Sequence, residues 1–424
     1  PRVLSHEEIK HGPCSFPEAP NGQGMLLHGW VCAPTATLPR LRIDSSVRSD
    51  ARTAAARNGA VRKRARACTP QLVMNGAAAA QSWKQAPPAF RGAPKAIGVV
   101  IAFGLLVYAF ARAVKRLFDT PSRPYAGAEE GVGSEYDQWT DEGVLEHYWG
   151  EHVHLGYYTE SEMERGYKKK DFKQAKYDFV DEMLRWTQVQ NDDDLNVQKV
   201  LDVGCGIGGT SRILARRFPQ AQITGITLSK EQARRAQELA KEQGIENVEF
   251  VVMDALAMSF EPNRFDLVWA CESGEHMPDK EAYVREMVRV LKPRGRLAIA
   301  TWCQRDTPPD LSPHDKECLQ FLYDEWSHPF FISYQEYGRI MARTRAMTSI
   351  SAEDWTKPTI ASWRHSIWVG IWRPWFVIRK GFSKKPGPRI WYKVLREIVC
   401  LERMHRAFDR GLMQYGMIKG TKAA

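Results

Sequence analysis

The stretch Val200–Leu214, VLDVGCGIGGTSRIL, decides the fold of this 424-residue chain. Its first four residues form a short, largely apolar run that is typical of a buried strand. Four glycines follow among the next six residues, and a helix-like run begins after them. Glycine permits positive φ and leaves room where a Cβ would collide with a ligand. The pattern predicts a strand, a tight turn and a helix N-terminus, where doubly wound sheets bind nucleotide-like ligands.

The spacing of these glycines distinguishes between two kinds of ligand that such a turn could bind. A phosphate fingerprint needs G-x-G-x-x-G, whereas this stretch reads D-x-G-x-G-x-G-G from Asp202 to Gly209. An acidic residue ahead of the turn favours a cationic ligand without phosphate. The pattern resembles the first motif of class I methyltransferases, which bind S-adenosylmethionine. The residues that this resemblance assigns to the cofactor site are Asp202, Gly204, Cys205, Gly206 and Gly208.

A regular alternation of strands and helices follows this motif. The predicted strands span residues 223–226, 248–252, 265–270 and 297–302, and the predicted helices span 230–243 and 280–291. Ser229 is the expected N-cap of the first of these helices. Short apolar strands separated by helices indicate an α/β fold, a doubly wound and mostly parallel sheet whose ligands lie at the carboxyl ends of the strands.

Three further positions at that edge are expected to contact the cofactor. Many class I methyltransferases carry an acid at the end of the second strand for the ribose hydroxyls, but here Thr227 stands there, with Gln232 as a possible helper. Asp254, followed by Ala255, is a candidate partner of the adenine amino group. The alternative for Asp254 is an ordinary aspartate at the start of a loop.

The segment CESGEHMPDK after the fourth strand carries the candidate catalytic residues Glu272, Glu275 and His276. Histidine titrates near neutrality, and a nearby carboxylate would raise its basicity. We therefore predict that His276 removes a proton with help from one of the glutamates. The alternative is that Glu275 and His276 only brace the loop.

An aromatic and histidine-rich segment, YDQWTDEGVLEHYWGEHVHLGYY, precedes the core. Aromatic faces and imidazole groups suit a wall over an aromatic substrate. The residues predicted to form this wall are Trp149, His152, His154 and Tyr157. No zinc-like companion motif accompanies these histidines, so no metal site is predicted.

Most of the basicity of the chain lies in its N-terminal segment. Residues 1–95 hold fourteen Lys or Arg against five Asp or Glu, which accounts for nine of the ten net positive charges. A nucleic-acid partner is therefore not expected, because such proteins carry the basic patch on a folded domain. Residues 1–94 are rich in Ala, Arg, Ser and Thr and are predicted to be a leader, a plastid transit peptide with a spacer. A disordered regulatory tail has the same composition.

Residues 95–117 are predicted to form one transmembrane anchor. The run AIGVVIAFGLLVYAFA carries no charge and is bounded by Lys95 and Arg112. It is shorter than the about 20 residues of a full span, but flanking basic residues can snorkel. The excess of basic residues after the run would place the following domain on the stromal or cytoplasmic-like side. A buried core helix is the alternative.

Residues 135–310 are expected to form the methyltransferase core, and residues 311–424 a C-terminal cap. Six tryptophans lie between residues 355 and 391, interleaved with Arg and Lys. This composition suits a membrane interface through which a lipid substrate could enter. Tryptophans that simply fill the core of a cap would give the same pattern.

The core stretches VLDVGCGIGGTSRILA, GITLS, ESGEHMPDK and RVLKPRGRLAIATW resemble the tocopherol and sterol methyltransferase group. YDQWTDEGVLEHYWGEHVHLGYY, DEWSHP, DWTKP and GLMQYGMIKGTK resemble its cyanobacterial-type 2-methyl-6-phytyl-1,4-benzoquinol methyltransferase branch. The resemblance implies a single N-terminal anchor and methylation of a ring carbon of a prenylated quinol, with S-adenosyl-L-methionine as cofactor. It also implies a plastid membrane, the inner envelope or the thylakoid, and membrane lipid as a partner.

Three alternatives remain open at this point. ESGEHMPDK also resembles the γ-tocopherol methyltransferases, which methylate oxygen, and a sterol acceptor is a third possibility within the same group. A membrane-anchored subunit that binds the cofactor without catalysis, or serves only in assembly, is the alternative of another class. The sequence does not predict an oligomeric state.

Overall fold

The computed structural model describes residues 93–125, 127, 133–189, 196–384 and 387–424, so the predicted leader lies outside them except for its last two residues. The strands are β1 (Lys199–Val203), β2 (Gln222–Thr227), β3 (Val248–Val252), β4 (Phe265–Cys271), β5 (Leu291–Gln304), β6 (Met347–Asp354) and β7 (Met413–Lys422).

The first eight helices are α1 (Ala93–Asp119), α2 (Ser134–Glu142), α3 (Val144–Trp149), α4 (Glu160–Glu164), α5 (Gln174–Thr187), α6 (Gly209–Arg217), α7 (Lys230–Glu242) and α8 (Lys280–Val290). The remaining helices are α9 (Pro313–Glu325), α10 (Tyr334–Arg343), α11 (Thr356–Thr359), α12 (Ala361–Trp372), α13 (Trp375–Gly381) and α14 (Arg389–Asp409). Short 3₁₀ turns cover Tyr167–Lys169 and Gly274–His276.

All seven strands form one sheet in the order β3-β2-β1-β4-β5-β7-β6. Strands β1 to β5 pair in parallel, and β7 is antiparallel to both β5 and β6. The predicted α/β fold with a mostly parallel sheet is confirmed. The β5 strand is longer than predicted, and β6 and β7 were not predicted.

The helices cover both faces of this sheet because their apolar stripes face it. The stripe of α5 includes Phe179 and Met183, which are fully buried, as is Trp269 at the centre of the sheet. Ser229 caps α7 by accepting the backbone N–H of Gln232, as the sequence predicted. Burial of these side chains is the main source of stability for a fold of this kind.

The α1 helix is apolar and solvent-exposed along its length. Ile97–Asp119 is long and apolar enough to cross a membrane, and none of its apolar window is buried against the protein. Its last carbonyls are held by Arg396 of α14, which donates to Leu117 O at 3.1 Å and Thr120 O at 2.6 Å. Arg396 is itself paired with the buried carboxylate of Glu325. The end of α1 is thus fixed to the folded domain.

The C-terminal region differs from the simple cap that the sequence suggested. Residues 311–424 contribute β6 and β7 to the main sheet, and residues 95–424 form one compact unit. Helices α3, α12, α13 and α14 share one hydrophobic cluster on the apolar side of the site described below.

Candidate active site

The glycine-rich turn after β1 is fixed to the neighbouring strand by its backbone. The N–H groups of Gly204 and Cys205 both donate to Ile226 O at 2.9 Å. Gly206 has φ of +55° and no atom within 4 Å of the position that a Cβ would take. Gly208 has φ of +76° and packs on the Phe250 ring. Gly206 therefore keeps open space in front of the turn, whereas Gly208 serves close packing.

An open cleft of about 1080 Å³ lies in front of this turn at the carboxyl ends of the strands. It is lined by every residue that the sequence assigned to the cofactor except Gly208, namely Asp202, Gly204, Cys205, Gly206, Thr227, Gln232, Asp254 and Ala255. We call this the cofactor cleft. The residues around it fit S-adenosylmethionine, because the cleft combines an open glycine turn, carboxylates and hydroxyl and amide groups.

The carboxyl group of Asp202 is buried at the base of the cofactor cleft. Its Oδ2 accepts the Ser211 hydroxyl at 2.6 Å. Burial raises the pKa of Asp202 to about 6, and the hydrogen bond from Ser211 opposes that shift. A cationic ligand in the cleft would favour the ionised form. The Ser211 contact also fixes α6 against the end of β1.

The other predicted cofactor residues have more local partners. Thr227 Oγ1 donates to Gln232 Oε1 at 2.9 Å, so these two act as one polar unit. Asp254 Oδ1 accepts the N–H of Leu256 at 2.8 Å. One oxygen of Asp254 therefore closes the loop, as the alternative interpretation expected, although the residue also lines the cleft.

A second open cleft of about 1240 Å³ adjoins the first and is much more apolar. Its walls come from α2, α3, α12, α14, the end of β5 and the residues that follow α9. Its aromatic and aliphatic lining comprises Tyr136, Val144, Leu145, Tyr148, Trp149, Val153, Trp302, Trp326, Trp363, Ile367, Val394, Ile398 and Leu401. We call this the apolar cleft.

The two clefts meet at four residues that line both of them, which are Tyr136, Val153, Glu272 and His276. The Tyr136 hydroxyl lies 3.2 Å from His276 Nε2. Its helix, α2, is tied to α7 by a short hydrogen bond between Asp137 and Ser229. The sequence analysis did not single out Tyr136, although it lies inside the YDQWTDEG stretch.

Glu272 occupies a strained position at the end of β4. Its φ is +50°, a conformation that non-glycine residues adopt rarely and mainly at functional sites. Its Oε1 accepts the Leu155 N–H at 2.7 Å and the Tyr415 hydroxyl at 2.8 Å. Burial and repulsion from Glu275 raise its pKa above the usual value for a glutamate. Such a carboxyl is a proton acceptor poised near neutral pH.

Glu275 is 1% exposed, and its Oε2 accepts the Thr301 hydroxyl at 2.7 Å. Burial raises its pKa as well. The amine of Lys280 donates to the backbone carbonyls of Gly274 and Glu275 and holds the 3₁₀ turn in place. Glu275 thus supports the 3₁₀ turn through its contact with Thr301, and Glu275 also lines the apolar cleft.

The expectation that carboxylates raise the basicity of His276 is wrong. Burial, followed by the charge of Lys280, lowers the pKa of His276 to about 3, so its ring is neutral at physiological pH. Burial disfavours the charged imidazole, and the positive charge of Lys280 disfavours it further. A neutral ring can still orient a substrate hydroxyl.

Unpartnered ring nitrogens cluster beside this junction. The rings of His276 and His328 stack with centroids 4.5 Å apart. Among the described residues, His276 Nδ1 and both nitrogens of His328 are buried without a hydrogen-bond partner. Buried polar atoms rarely lack a hydrogen-bond partner in the protein unless a water or a ligand provides the hydrogen bond. His328 belongs to the DEWSHP stretch, which had carried a family resemblance but no assigned role.

The four residues predicted to form the substrate wall fall in three places. Trp149 lines the apolar cleft, and the buried amine of Lys176 donates to its carbonyl at 3.1 Å. His152 and His154 are buried and line the cofactor cleft. Tyr157 lines neither cleft and packs against Trp355 with ring centroids 5.7 Å apart. Among the described residues, no group of three His, Cys, Asp or Glu side chains is arranged to hold a metal.

Comparisons with known proteins agree with this geometry. Residues 200–295 match the family model described as a methyltransferase domain. The chain is 41% identical over 298 residues to a 2-methyl-6-phytyl-1,4-hydroquinone methyltransferase of Synechocystis sp., covering 70% of this chain and 88% of that protein. It is 33% identical over 303 residues to the chloroplastic tocopherol O-methyltransferase of Arabidopsis thaliana, covering 69% of this chain and 82% of that protein.

A solved structure shows the same fold with a cofactor product bound. The geranyl diphosphate C-methyltransferase of Streptomyces coelicolor, in complex with S-adenosyl-L-homocysteine, superposes with a TM-score of 0.51. The match covers 72% of this chain and all of that chain at 21% identity. At that identity the likeness concerns the fold alone. Together with the curated relatives, the motif and the cleft, it shows that this chain is an S-adenosylmethionine-dependent methyltransferase and belongs to the family that includes the phytylhydroquinone and tocopherol methyltransferases.

Proposed function

We propose that this protein methylates a ring carbon of a prenylated hydroquinone, 2-methyl-6-phytyl-1,4-benzoquinol or its solanesyl analogue, in the formation of tocopherols and plastoquinone. The observation that carries the proposal is the meeting of a polar cofactor cleft and an aromatic, apolar cleft at Glu272 and His276. The 41% identical relative, named for the same hydroquinone, supports this choice.

The polar groups at the junction suit the head group of such a substrate. A 1,4-quinol carries two hydroxyl groups on opposite sides of an aromatic ring. His276 and His328 offer ring nitrogens that find no partner among the described residues, and the aromatic walls offer stacking faces. Binding the quinol would satisfy these buried nitrogens, which is worth about 1 kcal/mol or more for each.

The cofactor, when bound, supplies an electrophilic methyl group on a positively charged sulfur. The ionised carboxylate of Glu272 accepts the proton of a quinol hydroxyl, and the resulting negative charge makes the ortho ring carbon nucleophilic. The new carbon–carbon bond forms as the methyl–sulfur bond breaks. Glu272 then gives up its proton to water, and its carboxylate accepts the hydrogen of that ring carbon as a proton, which restores the aromatic ring as a phenolate. Glu272 returns this second proton to the oxygen, so that one proton is released to water for each methyl group transferred.

The remaining residues position the ring and exclude water. His276 is held by the Tyr136 hydroxyl and stacks on His328, so its ring cannot rotate freely. Trp302 and Trp363 pack edge to face with centroids 4.9 Å apart and close the floor of the apolar cleft. Alignment of two reacting atoms in a dry site contributes most of the acceleration in a transfer that needs little further activation.

We also propose that the protein acts at a plastid membrane, with α1 as its anchor and the catalytic domain on the stromal side. The chloroplastic location of the plant relative and the exposed, apolar α1 support this placement. Membrane lipid would then surround the substrate, whose prenyl tail makes it insoluble in water.

The deciding experiment compares two acceptors in parallel. Protein that begins at residue 95 is placed in lipid vesicles with labelled S-adenosylmethionine and either 2-methyl-6-phytyl-1,4-benzoquinol or γ-tocopherol. Label on the ring carbon of the first acceptor alone is the expected result. Label on γ-tocopherol alone would instead assign the protein to oxygen methylation, the activity of its 33% identical relative.

A further inference from the structure

Two antiparallel helices line the apolar cleft with one face each. The lining residues of α12 are Trp363, Ser366, Ile367 and Gly370, and those of α14 are Val394, Glu397, Ile398 and Leu401. Both sets follow the spacing i, i+3, i+4, i+7, which is one side of a helix. Arg364 pairs with Glu402 at 2.9 Å and fixes the register, so that Gly370 faces the part of α14 near Val394.

Gly370 lies at a position where none of the described residues requires a glycine. It lies inside α12, does not have positive φ, and a Cβ at this position would meet no atom within 4 Å. Glycine in a helix interior costs about 1 kcal/mol relative to alanine. In contrast, Gly381 of the neighbouring α13 is required by packing, because a Cβ there would collide with Trp391. The space beside Gly370 belongs to the cleft.

Beyond Gly370 the protein surface is apolar. Trp372 and Trp375 are 73% and 72% exposed, and Phe382 is 79% exposed. Of the large apolar side chains that are exposed outside α1 among the described residues, all but Val252 and Phe330 lie in this patch, which comprises Ile371, Trp372, Trp375, Ile378, Phe382, Trp391, Tyr392 and Leu395. We call these eight residues the exit patch. An apolar patch of this kind on a soluble surface marks a contact with protein or membrane.

The exit patch is continuous with the end of the proposed anchor. Tyr392 lies against Phe118 of α1, with ring centroids 6.3 Å apart. Basic residues, including Arg379 and Lys380 of α13, are interspersed with the aromatic ones, which suits the interface of an anionic bilayer. The patch therefore faces the same lipid surface that α1 enters.

We propose that the apolar cleft is an open-ended channel for the prenyl tail, and that Gly370 keeps its outer end open towards lipid. This inference rests on the proposed function. The quinol ring is held at Glu272, the tail passes between α12 and α14 over Gly370, and its distal part remains in the bilayer beside the exit patch. The stripe from Trp363 to Gly370 is only about 10 Å long, at 1.5 Å per residue, which is shorter than an extended phytyl chain.

An open end makes the wild-type enzyme tolerant of tail length, whereas a closed end would impose a limit. In Gly370→Leu, a branched side chain fills the outlet, and a long tail could no longer pass. Gly104→Leu is the matched control, because Gly104 also lies inside a helix, α1, with no described atom within 4 Å of a Cβ, but lines neither cleft.

The test measures methyl transfer by both variants to two quinols with the same ring, one carrying a phytyl tail and one a single isoprene unit. For Gly370→Leu we expect kcat/KM to fall at least about tenfold with the phytyl quinol and to stay within about twofold with the short one. Gly104→Leu should resemble the wild type with both. Equal effects on the two quinols in Gly370→Leu would overturn the channel.

A binding measurement separates this inference from the proposed function. The oxidised phytylquinone cannot be methylated, and its binding is followed by quenching of tryptophan fluorescence. Tight binding by the wild type that weakens at least about tenfold in Gly370→Leu supports the channel even if neither quinol is methylated, a result that would refute only the proposed reaction. Absence of binding to the wild type, or equal binding to both proteins, would refute the channel.

Discussion

The cofactor cleft and the apolar cleft lie side by side but are encoded in different ways. The wall of the cofactor cleft that carries its motif comes from one continuous stretch, in which the backbone of Gly204 and Gly206 does most of the work. The apolar cleft is built from side chains on α3, α12 and α14, and α3 lies more than two hundred residues before the other two helices in sequence. A binding site formed by backbone atoms tolerates few substitutions, whereas a cleft lined by side chains can change its shape through single substitutions.

Glu272, at the border of the two clefts, should show the largest effect of any single substitution. We expect Glu272→Gln to lower kcat about a hundredfold or more, because the amide cannot accept the quinol proton, with cofactor affinity unchanged. Since the pKa of Glu272 is raised, the carboxylate forms only towards neutral and alkaline pH, so wild-type kcat/KM should rise with pH there. Pre-steady-state assays across pH 5–9 measure both.

Glu249→Gln is the control for this change. Glu249 lies on β3 and accepts the Thr224 hydroxyl at 2.9 Å, outside both clefts. Full activity of Glu272→Gln with an unchanged pH profile would remove Glu272 as the proton acceptor.

Gly206 tests the backbone character of the cofactor cleft. Gly206→Ala places a methyl group in the open space of the turn at φ of +55°, and we expect the affinity for S-adenosyl-L-homocysteine to fall about tenfold or more in calorimetric titration. Gly244→Ala is the matched control, since Gly244 has φ of +66° and equally open surroundings but lies after α7, away from the cleft. Both variants should lose about 1–2 kcal/mol of stability, and equal cofactor affinity in the two would contradict the assignment.

The exit patch should affect only the delivery of lipid-borne substrate. In Trp372→Ser/Trp375→Ser we expect a KM for the phytyl quinol in vesicles that is several-fold higher, because about 1–2 kcal/mol of interfacial contact is lost. The same variant should match the wild type when the substrate is dissolved in detergent. An equal loss in both media would mean that the tryptophans stabilise the fold and not the membrane contact.

Substitution of Glu275 should give the smallest effect, and that effect should be on the stability of the protein and not on methyl transfer. Its folded pKa is raised above the unfolded value, so the folded state binds more protons than the unfolded chain, and the free energy of unfolding falls as pH rises between those two values. Glu275→Gln keeps an acceptor for Thr301 but cannot ionise. Above this pH range, Glu275→Gln should have a higher melting temperature than the wild type, equivalent to about 1 kcal/mol of unfolding free energy. A difference in melting temperature that does not change with pH would contradict this explanation.

The same contrast explains how much could be predicted from the sequence. The strand and the turn could be predicted because their geometry depends on local spacing, and of the residues predicted to bind the cofactor only Gly208 does not line the cleft. The roles of Tyr136, His328 and Gly370 could not be predicted, because they arise from contacts across long sequence separations. The direction of the His276 pKa shift was missed because burial, which no motif shows, is its main cause and the charge of Lys280 acts in the same direction.

Strand β7 illustrates the same limit for the fold. Its sequence, MQYGMIKGTK, has weak alternation, and its glycines are required by neighbours from other elements, since a Cβ at Gly416 would meet Cys303 and one at Gly420 would meet Met341. Its place between β5 and β6 follows from those contacts and not from its own residues.

The position of β7 also has a consequence for how the protein is made. This strand follows the six others in sequence, yet it lies inside the sheet, and its Tyr415 hydroxyl donates to Glu272. A ribosome releases β7 after the other six strands, so the edge of β5 stays unpaired until β7 has been made. Because such non-local pairing is slow, we expect the newly made chain to need protection from aggregation until β7 has paired with β5 and β6.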